Sequence, residues 1–153
     1  MDKMKRLPED YNEQEMQAQF EESYEILCKT NEPFHVKMEK IYEFKKMTPY
    51  KFTESTELNR KFYNEFKREG YIPRMSTFIS MCMGFNLDLP AAESLLSSLS
   101  LGFEKTDRLD CAYMFLLTHY QGMCIEDCNK ILRGLGITEE KYLLGSFAKD
   151  ERK

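Results

Sequence analysis

The stretch MTPYKFTESTELNRKFYNEFKREGYIPRMSTFISMCMGFNLDLPAAESLL, residues 47–96, decides the fold. Its apolar residues recur three and four positions apart, the spacing of one helix face, and nowhere keep the alternation of a half-buried strand. Thr48-Pro49 predicts a helix over 49–56: threonine caps the free amides, and proline at the first helical position forfeits no hydrogen bond. Phe52 is its core residue. After Glu57-Leu58, Asn59 predicts the cap of a helix over 60–69, stopped by Gly70. Ile72-Pro73-Arg74 reads as a linker, with Ser76 as N-cap or first-turn residue of a helix reaching position 85. Asn86-Leu87-Asp88-Leu89-Pro90 starts another that runs to 99, repeating Ala91, Leu95, Leu96 and Leu99 at helical spacing.

The remaining sequence is also helical. A helix over 35–46 is expected to bury Val36, Met38, Ile41, Tyr42 and Phe44. Before it, 10–29 places Met16, Phe20, Tyr24 and Leu27 on one stripe of an otherwise acidic and amide-rich helix, a pattern of core packing or a dimer contact. Asn31-Glu32-Pro33 separates the two, because proline disfavours helical geometry in the residue before it. Beyond a loop at 102–106, further helices are predicted over 107–120, 125–133 and, capped by Thr138, 138–144. The expected class is all-α, divided into an acidic amphipathic helix (1–32), a helix-turn-helix domain (33–101), a helical extension (102–148) and a charged tail (149–153).

At 153 residues the chain is one ordinary domain long. Its 42% apolar and 31% charged residues are a soluble globular profile, with no apolar run of membrane-spanning length. The N-terminal MDKMKRLPEDYNEQ lacks the apolar segment of a signal peptide, so a cytoplasmic location is expected. The five cysteines, Cys28, Cys82, Cys111, Cys124 and Cys128, show no C-x-x-C spacing and read as buried, inert thiols. His119 with Cys124 and Cys128 matches no zinc pattern, so no metal or cofactor is expected. Neither histidine has a serine or carboxylate frame, and no phosphate-binding glycine pattern occurs, which points away from an enzyme.

The net charge of −4 hides a division. Residues 1–35 carry four basic groups against nine acidic ones, 36–74 ten against six, and 75–153 eight against eleven. Basic charge is concentrated where three short helices meet, and for a nucleic-acid surface that local distribution outweighs the total.

Residues 35–101 resemble the lambda-repressor-like, or XRE-type, family of bacterial and phage helix-turn-helix regulators. The family opens its second helix with Leu-Thr, matched by Met47-Thr48, and keeps a core residue at Phe52. Its capped recognition helix is matched by Leu58-Asn59-Arg60-Lys61. Its Pro-x-x-x-Thr-Leu phrase is matched by Pro73-Arg74-Met75-Ser76-Thr77-Phe78, and its Gly-Leu-x-Leu phrase by Gly84-Phe85-Asn86-Leu87. The segment from Ser100 to Ser146, with an aspartate-led helix, an asparagine in the next and Leu-Leu-Gly near its end, looks like an extension appended to such domains. Two positions depart from the family pattern. Glu57 stands where glycine usually provides a left-handed turn, and Pro49 where glutamine often meets phosphate.

The resemblance implies a five-helix DNA-binding fold and a sequence-specific transcriptional regulator, as a homodimer on double-stranded DNA. Helix 60–69 would enter the major groove with Tyr63 and Phe66 turned inward. Arg60, Lys61 and Asn64 suit base edges, since arginine pairs with guanine and asparagine with adenine. Lys51, Lys67, Arg68 and Arg74 suit phosphates, with Thr48 and Asn59 beside them. Phe62 fits either the core or a thymine methyl. The alternative is an interaction module that keeps the scaffold without DNA and docks a protein partner through its acidic flanks.

Overall fold

Local caps set several element boundaries. The computed structural model describes residues 4–27 and 32–145, and among these it is all-helical, with no strand. The helices are α1 Glu13–Leu27, α2 Phe34–Lys45, α3 Pro49–Thr56, α4 Lys61–Glu65, α5 Met75–Gly84, α6 Leu89–Ser98, α7 Arg108–His119 and α8 Ile125–Gly134, followed by a 3₁₀ turn Glu140–Tyr142. Thr48 Oγ1 accepts from the Lys51 amide at 3.2 Å and starts α3 where the sequence predicts. Asp88 and Asp107 cap α6 and α7 through the amides of Ala91 and Asp110. Each such cap is worth about 1 kcal/mol.

The core centres on Phe52, which is fully buried. Its ring lies 5.8–6.3 Å from those of Tyr42, Tyr63, Phe66 and Phe85, three of them edge-on or nearly so. Helix α5 passes through the middle, with every residue from Ser76 to Met83 buried, and packs on α3, α7 and α8. Gly84 ends it against the last turn of α3, where a Cβ would stand 2.7 Å from the Ser55 carbonyl oxygen. No larger residue fits without moving that backbone.

The extension is tied into this core by a polar clasp. The buried Asn129 donates its Nδ2 to the Leu144 carbonyl at 3.1 Å and accepts the Leu144 amide on Oδ1 at 2.8 Å. Next in the chain, the Gly145 amide donates to Ser80 Oγ at 2.8 Å, and Gly145 lies against the Glu57 carbonyl. Asn129→Ala is expected to lower stability by roughly 2–4 kcal/mol, because two buried backbone groups lose their partners at about 1–3 kcal/mol each. Urea unfolding of the variant beside the wild type measures this.

Several sequence expectations need correction. The helix expected over 60–69 is regular only over Lys61–Glu65. Beyond Phe66 the amides of Lys67 and Arg68 bond three residues back, to Asn64 and Glu65, and the chain tightens into turns toward Gly70. That bend lets both Phe66 and Tyr71 face the core, their rings edge-on at 5.5 Å. Helix α2 ends at Lys45, with Lys46 left-handed. Phe44 is exposed and Val36 half-buried, while Phe34 and Lys37 take buried places. In α1, Met16, Phe20 and Tyr24 are exposed, so these three do not pack into the chain's own core, and the Leu27 side chain lies outside what the structure describes. Cys111 and Cys124 are also exposed; Cys82 and Cys128 are buried. Cys28, Lys29 and the tail 149–153 lie outside the described residues.

Buried tyrosines make the fold sensitive to alkali. Burial pushes the Tyr42 and Tyr113 hydroxyls well above the ordinary tyrosine range; they donate to the carbonyls of Tyr63 and Tyr142. Tyr71 is raised to about 12, mainly by burial and then by Glu65. A raised acid keeps its proton in the folded chain while the unfolded chain ionises. The stability it contributes is therefore complete below about pH 10 and is lost above it, by about 1.4 kcal/mol per pH unit for each fully buried group. Lys37 works the opposite way: burial lowers its pKa, and the cost of its buried charge fades as pH rises. Stability is expected to fall steeply between pH 10 and 11, and Tyr113→Phe to flatten the fall; denaturation midpoints at pH 8, 10 and 11 check both.

Candidate nucleic-acid interface

The unit from Thr48 to Glu65 is two short helices joined by a turn whose shape is fixed by a few side chains. Glu57 follows α3 in the left-handed region, at φ 54° and ψ 26°, with its amide bonded to the Thr53 carbonyl. A glutamate in that region costs about 1–2 kcal/mol. Thr56 offsets that cost. Fully buried, its hydroxyl donates to the Phe52 carbonyl at 2.6 Å and accepts the Leu58 amide at 3.1 Å. Leu58 is buried beneath the turn, and Asn59 Oδ1 accepts the Lys61 amide at 2.9 Å, starting α4. The sequence reading missed Thr56. A buried threonine is betrayed only by its four-residue spacing from Phe52.

The predicted site residues fall into two groups. Asn59, Arg60, Lys61 and Asn64 are all exposed around the start of α4, and no acid occurs between Leu58 and Asn64. Thr48 and Lys51 are exposed at the start of α3, where Lys51 Nζ donates to the Lys46 carbonyl at 3.2 Å. Arg74 is exposed just before α5. Tyr50, 71% exposed beside Lys51, adds an aromatic hydroxyl that the sequence reading passed over; its place two residues from the inward Phe52 was the available signal.

The second group is engaged elsewhere. Lys67 is half-buried, its ammonium 4.7 Å from the Tyr63 ring centre and 5.7 Å from that of Tyr42. Those two rings stack at 4.8 Å, so the cation covers a preformed aromatic pair. Arg68 is held by Glu65 at 2.6 Å and lies over Tyr71. Phe62 is half-buried, with the Lys61 ammonium 5.3 Å from its ring centre.

Among the described residues no three histidines, cysteines or carboxylates stand close enough to hold a metal ion. Burial raises the Cys128 thiol to about 12 and also pushes up that of Cys82, which disfavours the thiolate a metal needs. Among the described residues no helix is long and apolar enough to cross a membrane. No protein-family model, curated protein or solved structure matches the chain.

Proposed function

We propose that the chain is a sequence-specific DNA-binding regulator of the lambda-repressor-like kind, reading the major groove with the start of α4 and acting as a homodimer. One observation carries this reading: Asn59, Arg60, Lys61 and Asn64 stand exposed together, without an acid among them, on a turn held by buried groups. Recognition helices meet base edges with their N-terminal residues, so a five-residue α4 is long enough. Arg60, Lys61 and Asn64 are assigned to bases. Lys51, Arg74, Thr48 and Asn59 are assigned to the backbone, with Tyr50 beside them. Lys67 and Arg68 would join them by exchanging their aromatic and Glu65 contacts for phosphate oxygens. A two-fold pair would place two such helices about 34 Å apart on a pseudo-palindromic site.

Selection of duplexes from a random pool tests the proposal. The expected result is one enriched sequence whose affinity falls steeply with salt, each phosphate contact adding about 0.9 to the logarithmic slope. Absence of binding at low salt would leave the scaffold as an interaction module and reject the DNA reading.

A further inference from the structure

Among its described side chains, helix α1 turns polar ones toward the body. Gln19, Glu22 and Ser23 face Lys45, Asp88 and the rest of a small polar recess, and Glu22 pairs with Lys45 at 2.7 Å. The apolar stripe is left outward. Met16, Phe20 and Tyr24 are 40%, 60% and 42% exposed, with the rings of Phe20 and Tyr24 stacked at 6.2 Å. Upstream, Leu7 and Tyr11 are exposed as well. Single exposed apolar residues are ordinary, but a row at four-residue spacing along one helix is a surface that another surface can cover.

The charge around the row says what covers it. From position 9 to 25 the chain carries seven carboxylates and no lysine or arginine. Glu13, Glu15 and Glu21 are exposed, whereas Glu22 is neutralised by Lys45. A second copy of α1 would set like charges against each other along the whole contact. An amphipathic helix with lysines and arginines flanking its apolar stripe would bury the row and pair the carboxylates together. We propose that the outward face of α1 docks a basic amphipathic helix of a partner protein. The docking side is separate from the base-reading side: α1 rests on α2 and α6, while α3 packs on α4 and α5.

Titration of the full chain with a synthetic leucine–lysine amphipathic peptide, beside its leucine–glutamate counterpart, tests this. The lysine peptide is expected to bind and the glutamate peptide not to bind. Phe20→Ala with Tyr24→Ala should weaken binding at least about tenfold. Both positions are exposed, so the circular dichroism of that variant should match the wild type. It should also bind duplex DNA unchanged, while Arg60→Ala with Lys61→Ala leaves peptide binding unchanged; the two surfaces can thus fail separately. Equal binding of the two peptides, binding of neither, or undiminished binding by the α1 variant would overturn the proposal. So would a chain that sediments as a dimer and becomes a monomer with the α1 substitutions.

Discussion

Phe52→Ala is expected to lower stability by about 3–5 kcal/mol, a large part of what a domain of this size possesses. The side chain is fully buried and its four ring neighbours come from three segments: Tyr42 in α2, Tyr63 and Phe66 in and directly after α4, and Phe85 after α5. Truncation removes the apolar burial and leaves a cavity that four rigid rings cannot readily fill. The expected outcome is a lowered denaturation midpoint with an unchanged denaturant slope. Phe52→Leu, closer in volume, should recover most of the difference.

Arg60→Ala with Lys61→Ala is expected to abolish selective DNA binding while leaving the helical content intact. Both side chains are exposed, and the one ring either of them lies over is the half-buried Phe62 beneath the Lys61 ammonium, so their removal should leave the fold in place. A good base contact carries about 1–3 kcal/mol of discrimination, so losing two from each recognition helix weakens the preferred duplex by two orders of magnitude or more. Fluorescence anisotropy against the selected duplex and a scrambled one measures this. The wild type should separate the two duplexes and the variant should not. Lys51→Ala behaves differently if Lys51 meets phosphate: both duplexes weaken alike, and the salt slope drops by about one per contact.

The difference between these variants follows from how much of the protein is written locally. Thr48, Asp88 and Asp107 announced their helices because a cap acts within three residues of itself. The inward places of Met38, Ile41, Phe52 and Leu95 were likewise legible from spacing. Features built from distant segments were not. The clasp of Asn129 on Leu144 joins positions fifteen residues apart, and Gly145 reaches Ser80 across sixty-five. The short α4 reflects the demand of Tyr71 for the core rather than any breaker within its own sequence. The apolar row of α1 was legible as amphipathic, but period alone does not say which face meets the body; the Glu22–Lys45 pair decides that. In the candidate site Asn59, Arg60, Lys61 and Asn64 stand exposed on a short polar run that is plain in the sequence, whereas the hold of Tyr42 and Tyr63 on Lys67 depends on packing between α2 and α4.

The base-reading assignment is tested most directly by amide chemical-shift mapping of the chain titrated with its selected duplex. The account predicts that the largest perturbations fall on Thr48 to Lys51 and Asn59 to Asn64, with Arg74 next and α1 and α7 unmoved. Perturbations confined to α1 or the extension, with 59–64 silent, would contradict it.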